Sequence, residues 1–378
     1  MESKLPDIGT TIFSVMSALA NEVDAINLSQ GFPDFPIDSK LKDFVQDALQ
    51  KEQVQYAPMP GRLDLRQAIA DKIFVQHGVV INPENEITIS AGATQGIYSS
   101  IAAVVGKGDE VILFDPSYDC YDPTIRLHGG KAVHLKLKFP SFSIDWQEVN
   151  DAINENTKMI VVNNPHNPAG AVWNKEDLVE LEKICEKHPS IFILSDEVYE
   201  HIQFNGEHQS VLKSELLRQR SFVTYSFGKT FHVTGWKIGY TVAPRQLTEE
   251  LRKMHQFNVF CVNNTMQYAL ANYLNQTESW KEVLPLYSAK RSLFLDGLKA
   301  SKFDALECSG TYFCLADYSA ISDENDVDFA KRMTREFGVA SIPVSVFYQD
   351  NTDNKVVRFC FAKQDETLQE AIDLLCKI

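Results

Sequence analysis

The chain has 378 residues, 44% of them hydrophobic and 23% charged, enough to bury the cores of two or three domains without disulfides or metals. Its 36 basic and 51 acidic residues leave a net charge of −15, which gives no electrostatic footprint for nucleic acid or an anionic membrane. Seven cysteines, odd in number, without CxxC spacing and partly in apolar runs such as VVRFCFA, fit reduced buried thiols in a cytoplasmic protein better than disulfides or a zinc site.

The first ~40 residues carry Pro33, Pro36 and few periodic features. Within them TIFSVMSALA ends in an Ala-Leu-Ala that mimics a signal-peptidase site. The segment before it carries Glu2 and Asp7 against Lys4 rather than a basic stretch, and Ser14 and Ser17 interrupt the apolar run, so an amphipathic helix is expected. No apolar run reaches the ~18 residues of a membrane span. From about residue 62 to 245, strands and helices alternate. LDLRQAIADKIFVQHG has Leu65, Ile69 and Ile73 at helical spacing and closes on Gly78. EITIS is a strand, ATQGIYSSIAAVV a helix and DEVILF a strand. KMIVVNN and SIFILSD are nearly continuous apolar runs, as strands buried on both faces require, with the helix DLVELEKICEKH between them. SFVTYSF and KIGYTVA are further strands. The alternation predicts a mostly parallel sheet covered on both faces. After about residue 247, long helices (LTEELRKMHQF, TMQYALANYL, YSAKRSLFLDGLKA) precede the short strands TYFCLADY and VVRFCFA and a last helix, ETLQEAIDLLCKI. The expected division is an arm and part of a smaller domain in 1–42, a large domain in 43–270, and a smaller α+β domain in 271–378.

The segment richest in chemistry is YSFGKTFHVTGWKIGY, residues 225–240. Ser226 to Lys229 matches the S-x-x-K of β-lactamases, but neither S-D-N nor K-T-G occurs in the chain. Gly228-Lys229-Thr230 resembles the end of a phosphate-binding P-loop, but the glycine needed five residues before Gly228 is Val223. What remains is a lysine after an apolar strand, with Ser226 and Lys237 near it. An imine-forming lysine needs partial desolvation to lose its proton, and a phosphate beside it needs hydroxyl donors and a cation. Asp196 ends the strand SIFILSD, where it could cap a helix or face a ligand. SAGATQG, residues 90–96, runs from strand into helix and so offers the unpaired donors of a helix N-terminus to an anion. Arg358 stands alone in an apolar strand, and a buried arginine needs an anion, either a structural carboxylate or a substrate.

Taken with INLSQGFPDFP, QYAPMPG, FDPSYDCY, NNPHNPAG and SDEVYEHI, these segments resemble the fold-type I pyridoxal-phosphate (PLP) dependent aminotransferases of class I/II, over essentially the whole chain. Within them the chain is most similar to the bacterial methionine aminotransferase and kynurenine aminotransferase branch. The resemblance implies an α/β aspartate aminotransferase fold: a large, mostly parallel seven-stranded sheet domain that binds PLP, plus the smaller α+β domain. It implies that Lys229 holds PLP as a Schiff base and is the catalytic acid/base. Asp196 pairs with the pyridine nitrogen, and Asn167 and Tyr199 bond the 3-oxygen. Ala93 and Thr94 bind the phosphate with Ser226 and Lys237, and Tyr118 stacks on the ring. Tyr56 reaches the phosphate of a neighbouring subunit, which makes a homodimer with shared sites. Arg358 and Asn167 take the substrate carboxylate near Gly31, and Phe13, Phe260 and Phe347 wall the side chain. An apolar aromatic wall suits thioether and aromatic side chains, so methionine and apolar amino acids are the expected donors, with a 2-oxo acid as acceptor and ping-pong kinetics. The alternative on the same scaffold is a cysteine-conjugate or cystathionine β-lyase. No metal, nucleic acid or membrane partner is expected.

Overall fold

The computed structural model describes residues 3–378; Met1 and Glu2, whose charge entered the signal-peptide reading, lie outside the described residues. Strands in chain order are β1 (Ile26–Asn27), β2 (Ile87–Ser90), β3 (Glu110–Asp115), β4 (Lys131–Lys136), β5 (Thr157–Asn163), β6 (Phe192–Asp196), β7 (Ser221–Ser226), β8 (Gly239–Val242), β9 (Asp304–Ala305), β10 (Phe313–Asp317), β11 (Val339–Ala340), β12 (Ile342–Pro343) and β13 (Val356–Cys360).

Seven of these form one sheet in the order β2-β8-β7-β6-β5-β3-β4. From β4 to β7 all pairings are parallel; β8 runs antiparallel between β7 and β2. The apolar runs of β5 and β6 are buried almost throughout, as central strands covered on both faces must be. Asn163, Asp196 and Ser226 are the last residues of three neighbouring strands, so they share the carboxyl edge of the sheet, where open α/β sheets bind ligands. β8 enters from the opposite direction. Its first residue, Gly239, pairs with both Ser90 and Ser226. A Cβ on Gly239 would stand 2.9 Å from the Ala93 nitrogen and 2.6 Å from the Tyr225 carbonyl. That close approach brings the chain from Lys237 to the N-terminus of the helix Ala93–Val104.

A second sheet, β12-β13-β10-β9, is antiparallel. The helices Val283–Leu298, Asp326–Phe337 and Asp365–Leu375 belong to the same part of the chain. The N-terminal residues pack onto it. β1 pairs in parallel with β11, and the Cys360 N–H donates to the Leu28 carbonyl at 2.8 Å. The expected amphipathic helix is Ile12–Glu22, capped by Thr11, with Met16, Leu19 and Ala20 buried.

Several elements stand where none was read, among them the short helices Tyr121–Leu127 and Trp146–Ala152; three others show why. Strand β4 has lysine at both ends and only Leu135 fully buried, which is how an exposed edge strand differs from a central one. Helix Ser39–Gln50 follows the proline-rich arm and buries only Leu41 and Ala48. Helix Asp326–Phe337 has a clear polar-to-apolar division, with Phe329, Ala330 and Met333 inward. Four of the seven thiols are buried (Cys185, Cys308, Cys314, Cys360), whereas Cys120 and Cys261 are half-buried and Cys376 is exposed. Among the described residues no helix is long and apolar enough to cross a membrane.

Candidate active site

At the carboxyl edge of the large sheet lies an open cleft of about 680 Å3. Ala93, Thr94, Tyr118, Asn167, Asp196, Tyr199, Ser226, Lys229 and Lys237, all singled out from the sequence, line it together. They come from five separate segments.

Lys229 belongs to the single turn Phe227–Thr230 that follows β7. Its Nζ donates to the Tyr312 hydroxyl at 2.9 Å and to the Gly31 carbonyl at 3.2 Å. Tyr312 in turn donates to the same carbonyl at 2.6 Å. Burial, aided by the Arg358 and Lys237 charges, lowers the Lys229 pKa to about 8, so about a tenth of the amine is unprotonated and nucleophilic at pH 7, far more than for an exposed lysine. Gly228 is obligatory here, because a Cβ would lie 2.9 Å from the Thr234 Cα.

Asp196 is pushed up to about 6 by burial, against the Tyr121 hydroxyl and the Val198 N–H that favour its charge. Tyr121 donates to Oδ2 at 2.7 Å, and Val198 N–H donates to Oδ1 at 3.3 Å. A carboxylate held this way gains from a cationic ring nitrogen. The Val198 bond closes a turn rather than capping a helix: no helix directly follows Asp196, so the helix-cap reading of the sequence is not met.

At the other end of the cleft, Gly92 caps the helix Ala93–Val104 without any side-chain cap, at φ 77°. A Cβ there would stand 3.2 Å from the Lys237 Nζ. The glycine therefore lets a cation approach the uncapped N–H groups of the helix, with Ser226 beside them; such a set suits a phosphate. Lys237 itself takes the left-handed conformation at φ 53°. The amine, the buried carboxylate, the anion cup and the Tyr118 ring fit the aldehyde, pyridine nitrogen, phosphate and face of PLP. Burial pushes the Tyr118 and Tyr199 phenols up, so both remain neutral hydrogen-bonding groups.

Arg358, on β13, is 1% exposed. Nη1 donates to Asn167 Oδ1 at 2.8 Å and Nη2 to the Ser29 carbonyl at 3.0 Å, while Nε has no partner. Both acceptors are neutral, and no carboxylate pairs with it among the described residues, so the structural salt bridge weighed from the sequence is not formed. Its guanidinium lies 5.2 Å from the centre of the Phe13 ring and 5.9 Å from that of Phe347. Phe313, which sequence reasoning passed over, is closest at 3.9 Å.

Two named residues are not brought to this cleft. Tyr56 is 83% exposed and Phe260 47% exposed; their rings meet edge to face at 5.6 Å on the surface. Tyr312 and Tyr121 were missed, because their partners lie far away in sequence; Asn163, which accepts from Asn167 N–H at 2.7 Å within the same NNPHNPAG loop, was passed over as a turn residue.

Comparison with known proteins supports this picture. The family model "Aminotransferase class I and II" matches residues 23–375. The chain is 46% identical to the methionine aminotransferase of Escherichia coli K12, covering 99% of this chain and 97% of that one. It is 34% identical to a kynurenine–oxoglutarate transaminase of Dictyostelium discoideum, over 98% of this chain and 94% of the relative. The crystal structure of YbdL from Escherichia coli, described as having a methionine aminotransferase function, superposes with a TM-score of 0.98 at 46% identity, covering 100% of this chain and 99% of that one. The seven-stranded, mostly parallel sheet expected from the resemblance is present. Each of these relatives is described as an aminotransferase or transaminase, and the chain belongs to the class I and II aminotransferases.

Proposed function

We propose that this aminotransferase is PLP-dependent, and that it takes the amino group of methionine, and of aromatic or other apolar amino acids, to a 2-oxo acid by a ping-pong mechanism. The observation that carries the reading is one cleft shared by a lysine of depressed basicity and a buried aspartate of weakened acidity. Bound there, PLP supplies an aldehyde for the substrate amine and a ring that takes up the electron pair left at the substrate α-carbon.

The chain's residues divide the remaining work. Lys229 Nζ anchors the cofactor at rest. Freed by the incoming amine, it accepts the α-proton as a base held at short range. Asp196 keeps its negative charge facing the pyridine nitrogen. Asn167 and Tyr199 bond the 3-oxygen, and Tyr118 covers the ring face. Ala93, Thr94, Ser226 and Lys237 hold the phosphate. Arg358 binds the substrate carboxylate through the nitrogen its neighbours leave unpaired, with Asn167 and Gly31 beside it. Phe13 and Phe347 form an apolar wall next to that carboxylate, which favours thioether and aromatic side chains over a second carboxylate.

Exposed Tyr56 and Phe260 complete the phosphate site and the substrate wall of a second copy, so the working unit is a homodimer. Residues 1–42 form the arm and part of the small domain, 43–270 the cofactor domain and 271–378 the rest of the small domain. The unpaired thiols support a reducing, cytoplasmic setting. A half-reaction screen tests the substrate claim: purified holoenzyme is mixed with each amino acid and the cofactor's visible band is followed. Methionine and phenylalanine bleach it fastest; aspartate outrunning methionine by about tenfold overturns the preference.

A further inference from the structure

We propose that Tyr121 is a positioning residue that keeps Asp196 ionised and aimed into the cleft, so that it sets the lower pH limit of cofactor binding and turnover. The proposal rests on the reading of Asp196 as the partner of the pyridine nitrogen.

Tyr121 opens the helix Tyr121–Leu127, and its side chain is buried in an apolar cluster with Leu113, Ile125 and Val161. Its hydroxyl donates to Asp196 Oδ2 at 2.7 Å from a segment 75 residues away. The other oxygen, Oδ1, holds only the longer bond from Val198 N–H at 3.3 Å. The backbone of Asp196 is fixed separately: Asn163 Nδ2 donates to its carbonyl at 2.8 Å, and the Asn164 N–H does so at 3.1 Å. The strand end is therefore held without Tyr121, and the phenol bears mainly on the carboxylate.

The groups facing Asp196 can be named from each side. Tyr121 and Tyr118 come from the DPSYDCY segment, and their rings meet edge to face at 5.7 Å. Cys120 is raised by burial and by the Asp196 and Asp119 charges, so it stays a neutral thiol. Lys229 supplies the attractive positive charge and Glu197 a repulsive negative one. Tyr121 is itself driven well up by burial and by the Asp196 charge, so it keeps its proton and can only donate. A neutral donor beside a buried carboxylate stabilises its charged form at every working pH.

The sign follows. Removing the donor raises the pH below which Asp196 is protonated, so the loss falls on the acid side and vanishes in alkali. A hydrogen bond to a charged group is worth roughly the free energy of one pKa unit, so the acid limb should move up by about one pH unit. The experiment measures, across pH, the PLP dissociation constant of cofactor-stripped protein and the single-turnover rate of holoenzyme, for wild type, Tyr121→Phe and Asp196→Asn. For wild type the dissociation constant should begin to rise on acidification near pH 6. In Tyr121→Phe that break moves up by about one unit, with little change in affinity at pH 8.5 and in KM. Replacing Tyr121 by 3,5-difluorotyrosine, a stronger donor, moves it the other way and serves if the phenylalanine variant folds poorly. Superimposable profiles, or a weakening uniform across pH, overturn the proposal. An Asp196→Asn enzyme with wild-type affinity and rate instead overturns the underlying reading of Asp196.

Discussion

Asp196 and Glu197 are neighbours in sequence and both are buried, yet they face opposite sides of the strand end and behave oppositely. Glu197 is saturated. His208 Nε2 lies 2.9 Å from one oxygen together with the Tyr225 hydroxyl at 3.1 Å, while Ser195 Oγ and Val211 N–H donate to the other. Burial pushes its pKa up, but these partners outweigh that and the carboxyl ends below its ordinary value. Asp196 has fewer donors and is held above its ordinary value. The same contrast separates two buried cations. Lys72 pairs with Glu200 at 2.6 Å, both side chains being 3% exposed, whereas Arg358 has only neutral acceptors. Polar groups that serve the fold find their partners within it; those proposed to serve the reaction are left short of one.

Substitutions on the two sides should therefore fail differently. The largest effect belongs to Lys229→Ala, which should lower turnover by at least about 10⁴-fold and remove the visible band of the anchored cofactor, while the melting temperature stays near wild type. Arg358→Met should lower kcat/KM for amino acids by roughly 10²- to 10³-fold in steady-state assays, because a desolvated grip on a carboxylate is lost. Lys72→Met should do the reverse. It strands the Glu200 charge and costs about 3–5 kcal/mol in denaturant melts, yet leaves KM close to wild type at temperatures where the protein stays folded. If Lys72→Met instead abolished cofactor binding without loss of stability, the division between the two sides would collapse. The smallest effect is a pH dependence. Lys229 loses its proton as pH rises through about 8, so the rate at which cofactor-stripped protein captures PLP should climb with pH and level off above that value. A rate that falls over pH 7–9 would place the reactive amine elsewhere.

Much of this contrast was legible before any coordinates, but unevenly. Asp196 ends an apolar strand, Arg358 interrupts one and Lys229 follows one by a turn, so local pattern marked them as charges worth a reason, but their roles came only from the family resemblance. The central strands were legible because burial on both faces leaves continuous apolar runs. Strand β4 was not, since an edge strand with Lys131 and Lys136 at its ends carries neither alternation nor a run. Tyr121 and Tyr312 were not either: a tyrosine's role lies in where its hydroxyl ends, and theirs end on residues 75 and 281 positions away. Tyr56 and Phe260 show a further limit: both are exposed, and nothing within a single chain says what covers them.

The most direct measurement reduces the holoenzyme with borohydride, digests it and locates the cofactor by mass spectrometry. The mass of the reduced pyridoxyl group should appear on Lys229 and on no other lysine. Stoichiometric label on Lys237 or elsewhere, with residue 229 unmodified, would contradict the assignment on which the rest depends.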